Sequence, residues 1–323
     1  MSVPLPSDMS FAALTALVSF CLSAQAGWED FGDPFKPGKA AVHWQVTHKQ
    51  LPAELIRYRV SMAPFSDAVV SNVVALAGFA DESAARVALR PALRGDMARY
   101  EESATGKFVA FSPSRGRIYF SNRRANPGVK DAIVGVPTPE QALSRLLAML
   151  PVFGLSETNF AAGIGTNRFR TSSLHNLLTR RNPQTKEREK VISRQGVYLH
   201  RPVDGIHISG GGVCGGARAE FAQRGELAEL EIVWRNLVRP ERLRVPAPDE
   251  IIRSIQRGDA LTQTTLPSGE LTSVTITDWT LYYWGEDGLT EQEVVEPFFT
   301  FRVDALVAGK SVEMFLHRLV WPK

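Results

Sequence analysis

With 323 residues, of which 44% are hydrophobic and 22% charged, the chain can bury a sizeable core without a disulfide or metal staple. Its formal charge of +3, from 37 basic and 34 acidic residues interspersed along the sequence, excludes the clustered basic footprint of a nucleic-acid-binding protein. Two cysteines exclude a disulfide-rich scaffold.

The N-terminus carries an apolar run from Phe11 to Ala26 that ends in Ala24-Gln25-Ala26, the small-residue spacing that a signal peptidase needs. The run is shorter than the ~18 apolar residues of a membrane span, and no second run of spanning length follows. Residues 1–26 are therefore expected to be a signal peptide, and the mature chain an exported protein, periplasmic or extracellular, with no transmembrane segment. Cys21 would leave with the signal, so Cys214 would be unpaired.

After a turn-rich leader, AVHWQV and LIRYRV alternate like strands. Ser66 then reads as a helix N-cap, with Asp67 in the first turn, Val69, Val70, Val73, Val74 and Leu76 as the apolar stripe, and Gly78 as the stop. A second helical piece is expected from Glu82 to Leu89. FVAF (Phe108–Phe111) and RIYF (Arg117–Phe120), joined by SPSRG, predict a hairpin. The clearest helix start is Thr138, followed by Pro139 at the first helical position and Gln141 where a capping box needs it. Residues 166–200 predict a long hairpin whose polar tip carries Arg180, Arg181, Lys186, Arg188, Lys190 and Arg194.

Between Tyr198 and Leu237, strand-like alternation is broken by the turn pair Asp204-Gly205 and by the run GGGVCGG. Leu230, Ile232 and Trp234 alternate with Glu229, Glu231 and Arg235, which predicts one dry and one wet face. A third helix begins at Asp249 and Glu250, and the tail reads as strands over Ser273–Trp284, Pro297–Leu306 and Val312–Trp321. The order helix, hairpin, helix, meander, helix, meander predicts an α+β fold of tandem modules, each with one helix packed on an antiparallel sheet. The expected domains are an N-terminal module over residues 27–136, a central module over 137–260, and C-terminal strands over 261–323 that complete a third module.

The chemistry-bearing residues gather in one place. Cys214 lies among Gly210, Gly211, Gly212, Gly215 and Gly216, whose backbone amides form a candidate binding loop, and His207 and His200 are the nearby histidines. This permits a thiol-dependent hydrolase or transferase with Cys214 as nucleophile and His207 or His200 as base. The bland alternative is a small residue in a strand connection, where glycine allows two backbones to approach. No metal-ligand spacing, phosphate loop or dinucleotide fingerprint is present, so no metal or cofactor is expected. The acidic pairs Glu101-Glu102 and Asp249-Glu250 sit beside or at the start of predicted helical segments, and Glu286-Asp287 lies in a turn.

Arg201, Val203-Asp204-Gly205-Ile206, Ile208, Gly225 and a strand closing on Trp234 resemble the repeat of PepSY-type modules. The helix opening Thr138-Pro139-Glu140-Gln141 is similar to the one that begins such a module. The resemblance covers residues 137–237, with a weaker echo in 248–320. Such modules occur in exported bacterial proteins, in the propeptides of thermolysin-like proteases and in extracytoplasmic envelope regulators. The resemblance implies a PepSY-like, cystatin-like arrangement and a role in binding, inhibition or regulation. It carries over no catalytic residue, and the insertion bearing Cys214 departs from its pattern. The leading expectation is a secreted or periplasmic non-catalytic protein that binds or regulates a protein or cell-envelope partner.

Overall fold

The computed structural model describes residue 28 and residues 31–61, 65–79, 98–102, 105–125, 133–161, 171–182, 184–210 and 212–321. The expected signal peptide, the helical piece Glu82–Leu89 and Gly211 lie outside the described residues.

Two large sheets organise the chain. The first is built from β4 (Ala98–Glu102), β5 (Lys107–Ser112), β6 (Arg117–Asn122), β7 (Thr171–Arg181), β8 (Arg188–His200), β11 (Gly216–Phe221) and β12 (Leu227–Val233). Its order is β4-β5-β6-β12-β11-β8-β7, antiparallel throughout. The second holds β1 (Asp33–Pro34), β2 (Ala41–Trp44), β3 (Glu54–Ser61), β9 (Pro202–Val203), β10 (Ile206–Gly210), β13 (Asn236–Arg244), β14 (Leu261–Thr262), β15 (Leu271–Gly285), β16 (Val294–Val307) and β17 (Lys310–Leu319). Its spine runs β1-β14-β17-β16-β15-β10-β9, with β3 joining β16 to β13 and β2 lying parallel to β15.

Three α-helices are described, and local chemistry sets their ends. In α1 (Asp67–Ala77) the Ser66 hydroxyl accepts from Val69 N–H, and Gly78 closes the helix in the left-handed region. In α2 (Pro139–Met149) Thr138 and Gln141 form a reciprocal capping box, each backbone N–H donating to the other's side chain. In α3 (Pro248–Arg257) the Ala247 N–H donates to Glu250 Oε2 at 2.7 Å.

The first core lies between α1, α2 and the first sheet: Val73, Val74, Leu146 and Leu150 meet Phe111, Ile118, Leu199, Leu230 and Ile232. The second lies between α3 and the long strands of the second sheet, where Ile251 and Ile255 meet Ile276, Phe299, Phe301 and Leu316. The apolar stripe read from the sequence for α1 is thus the face that packs. Asp204-Gly205 is the expected tight turn, with φ of 50° and 75°; the Tyr58 hydroxyl donates to its Asp204 carboxylate at 2.6 Å, and the Tyr283 hydroxyl, which donates to the Ile56 carbonyl at 2.9 Å, lies 3.3 Å from it.

The α+β expectation of tandem helix-on-sheet modules is corrected. The protein is mostly β, with two large sheets. Strands adjacent in sequence separate between them: β10 joins the second sheet, β11 and β12 the first, and β13 the second again. The stretch from Tyr198 to Leu237 is therefore not one module's sheet. Val203 and Ile208 belong to a small cluster with Cys214 and Tyr283, while Leu230 and Ile232 belong to the first core. The physical reason is that β3 finds its partner in β13 and β6 in β12, pairings between distant segments that a repeated order of elements cannot specify.

His317, on β17, is buried against Phe31, its ring 4.6 Å from that of Phe31, and its Nδ1 lies 3.1 Å from Thr300 Oγ1. Burial pulls its pKa down to about 4. A depressed folded pKa contributes stability that is full above the unfolded value near 6.5 and is lost as pH falls to about 4. We predict that roughly 3 kcal/mol is lost across that window at this site. Urea denaturation at pH 7 and pH 4 checks it: wild type should lose more stability than His317→Gln, and equal losses would refute the assignment.

Candidate functional site

The GGGVCGG run is the crossing between the two sheets. β10 ends at Gly210, whose register partner on β15 is Gly285, and β11 begins at Gly216 against His200. A Cβ at Gly210 would collide with the Gly285 carbonyl oxygen, so only glycine permits this approach of the two backbones. Gly216, at φ 139°, needs glycine for its backbone conformation as well as for the space beside the Leu199 carbonyl.

Cys214 sits inside this crossing, 3% exposed and unpaired. Its Sγ lies 3.7 Å from the Tyr198 hydroxyl, which donates to the Gly215 carbonyl at 3.0 Å and accepts from the Gly215 N–H at 3.3 Å. Burial pushes the Cys214 thiol up to about 11, against smaller opposing pulls from Tyr198 and the Arg235 cation. Burial also raises the Tyr198 phenol well above its ordinary value.

Arg235, placed on the wet face by sequence alternation, is buried at 4% exposure, which corrects that reading. Its Nη1 donates to the carbonyls of Cys214 and Glu286, both at 2.8 Å, and its Nη2 to those of Asp287 and Thr290 at 2.6 and 3.1 Å. One guanidinium thus ties the crossing to the loop that follows β15. Arg201 supports it by donating to the Arg235 carbonyl at 2.7 Å and lying over the Trp234 ring at 4.0 Å. Burial lowers both arginines to about 10.

The histidines are held elsewhere. His200 Nε2 lies 2.9 Å from Ser172 Oγ and its ring packs on Tyr198 at 4.2 Å; His207 stands in register with Pro202. Among the described residues the hydrogen-bond partner of the Cys214 thiol is Tyr198. Of the acidic pairs, Glu101-Glu102 ends β4, Asp249-Glu250 opens α3, and Glu286-Asp287 lies in the loop held by Arg235. No group of three potential metal ligands occurs among the described residues, and none of their helices is long and apolar enough to cross a membrane. Sequence reasoning missed Tyr198, Arg201 and Arg235 as parts of this site. The available signal was an arginine directly following Trp234 at the end of an apolar strand.

A second arrangement stands at the edge of the first sheet. β7 is an edge strand, and β11 reaches only as far as Gln195 of β8, so residues 176–181 and 188–194 continue past it as a two-stranded ribbon. A bulge at Ser193, whose hydroxyl donates to the Asn176 carbonyl at 3.0 Å, brings Leu177 opposite Ile192. These two apolar residues are 53% and 45% exposed. The next pairs on the same face are Thr179 with Lys190 and Arg181 with Arg188, all exposed. None of these three cations has an ion-pair partner among the described residues. The opposite face carries Leu178 with Val191 and an Arg180–Glu189 pair at 2.7 Å.

No family model and no curated protein matches the sequence, so the PepSY resemblance gains no support. Solved structures do match. An uncharacterized protein from Eubacterium rectale is 11% identical over 87% of this chain and 86% of its own, with a TM-score of 0.43. YycH from Bacillus subtilis is 12% identical over 83% of this chain, with a TM-score of 0.36; the chain covers 55% of YycH, about half its length. Both scores lie below 0.5, and no function passes from either structure to this chain.

A thiol buried this way should be inert in the folded protein. Iodoacetamide at pH 7.5 should leave Cys214 unmodified in the native state and alkylate it in urea, as read by mass spectrometry; rapid native alkylation would refute the placement. Arg235→Met leaves four carbonyls without their donor, and should cost about 3 kcal/mol or more in urea denaturation.

Proposed function

We propose that this chain is an exported, non-catalytic protein that binds or regulates a protein partner, and that the β7–β8 ribbon is its docking element. The observation that carries this reading is the combination on one open ribbon of an exposed apolar pair, Leu177 and Ile192, with Lys190, Arg181 and Arg188. Like charges placed directly opposite one another, as at Arg181 and Arg188, destabilise a strand pair. A partner's carboxylates would relieve that repulsion. An edge strand also offers backbone groups for strand addition, with alternate side chains read on one face. The fitting occupant is therefore an extended acidic segment of another protein, laid along β7.

Cys214 is, in this reading, a structural thiol of the sheet crossing. Its buried, protonated state at neutral pH favours that role over the nucleophile of a hydrolase or transferase. Export rests on the apolar run Phe11–Ala26 and its Ala24-Gln25-Ala26 ending. We predict that the mature chain, recovered from cells after expression of the full sequence, begins at Gly27; recovery of the intact N-terminus from the cytoplasm would overturn the export proposal.

Binding is tested by fluorescence anisotropy with a labelled ten-residue peptide that alternates valine and glutamate, beside its valine–lysine counterpart. The acidic peptide should bind, and more weakly as salt rises. Combining Arg181→Glu with Lys190→Glu should weaken it by about tenfold or more, and an internal proline in the peptide should weaken it further by removing a strand donor. Equal binding of the lysine peptide, or indifference to the charge reversal, would sink the docking proposal.

A further inference from the structure

A separate group of arginines converges along one face of α3. Arg253 and Arg257 are four residues apart on this helix and so share a face. With Arg244 from the end of β13 and Arg318 from β17, they line an open cavity of about 410 Å³ walled by Trp321 and Pro246. The Trp321 indole N–H donates to the Arg244 carbonyl at 2.9 Å, which fixes the ring as a flat wall.

The one acid lining the cavity is already engaged. Glu250 accepts from Arg244 Nη2 at 2.9 and 2.8 Å through its two oxygens and from the Ala247 N–H at 2.7 Å. Those contacts, the backbone one foremost, hold its carboxyl below the usual range. Asp259 lies beside the group and pairs with Arg257 at 3.0 Å. Arg253 has no ion-pair partner among the described residues.

Arg318 is the unusual member. It is 3% exposed, yet no carboxylate among the described residues lies within ion-pair distance of it. Its Nε donates to Ser254 Oγ at 2.8 Å, and its Nη1 to the carbonyls of Leu319 and Val320 at 3.0 and 3.2 Å. Ser254 in turn donates to Asp259 Oδ2 at 2.7 Å, so the nearest acid reaches Arg318 only through a hydroxyl. Nη2 has no hydrogen-bond partner among the described residues. A guanidinium is costly to bury unless a counter-charge meets it. Here its backbone-held fork keeps one nitrogen uncommitted at a cavity that three more arginines line.

We propose that this cavity is a binding site for a phosphate-type oxyanion, seated between Arg253, Arg257 and Nη2 of Arg318 with Trp321 against the group that bears it. A guanidinium fork matches tetrahedral oxyanions in geometry and remains charged at any physiological pH. The phosphate can belong to a free phosphorylated small molecule or to a lipid head group, and the volume exceeds what inorganic phosphate fills.

Isothermal titration calorimetry with inorganic pyrophosphate, and co-sedimentation with phosphatidylcholine vesicles containing phosphatidic acid, separate the two sources. Pyrophosphate binding alone assigns a free ligand, and vesicle binding alone assigns a lipid. In either assay the exposed-site variant Arg253→Gln with Arg257→Gln should weaken binding by about tenfold or more. Arg318→Lys, which keeps the charge but loses the fork, should weaken it while circular dichroism confirms folding. Arg181→Gln, on the β7–β8 ribbon, should leave it unchanged, which keeps this site distinguishable from the docking ribbon. Absence of binding in both assays, or binding indifferent to the double variant, overturns the proposal.

Discussion

Everything in this architecture depends on one buried cation. Arg235 sits where the chain passes between the sheets, and its guanidinium meets four backbone carbonyls from the crossing and from the loop after β15. Carbonyls in a non-repetitive crossing have no ladder to join, and burying them unpaired costs on the order of 1–3 kcal/mol each. The guanidinium in turn needs those acceptors to offset its own desolvation. Each side makes the other's burial tolerable, and the result is a joint between two sheets that share no strand pairing among the described residues.

The joint explains why glycine, cysteine and arginine gather there. Gly210 and Gly285 let parallel strands β10 and β15 approach, and Gly216 turns the chain onto β11. Val233 and Asn236, at the end of β12 and the start of β13, carry the chain back across the same junction within two intervening residues, Trp234 and Arg235. Arg235 is therefore placed by the return crossing to bind the outward one. Cys214 fills the space beneath Tyr198, and its thiol is small enough to sit between two backbones without asking for water.

The two proposed binding regions lie outside this joint, and share a different physical feature: cations with no ion-pair partner among the described residues, Arg181, Arg188 and Lys190 on the ribbon and Arg253 and Arg318 beside α3. On the ribbon they are exposed, and Arg181 stands opposite Arg188. Beside α3 one of them is buried and held in place by carbonyls. Elsewhere the outer face of the first sheet neutralises its charges locally, as with Arg117 and Glu231 at 2.7 Å and Arg194 and Glu220 at 2.9 Å. The contrast with these satisfied pairs is what marks the ribbon and the α3 cavity.

Local features were legible in the sequence because their causes are local. The caps at Ser66 and Thr138, the stop at Gly78, the Asp204-Gly205 turn and the β7–β8 hairpin all follow from neighbours within a few residues. The apolar stripe of α1 was legible for the same reason, since periodicity is a property of one element. The partition of the strands was not. Alternation in β10, β11 and β12 reports a dry face on each strand but carries no label for the sheet it joins, so one meander was expected where two sheets divide the strands. Nor could alternation reveal that Arg235, out of phase with Trp234, would be buried among carbonyls rather than left in water. The sequence by itself determined where strands and helices begin and which faces are apolar; the tertiary structure decided which strands meet and which charges lose their solvent, because those outcomes depend on contacts between segments far apart in the chain.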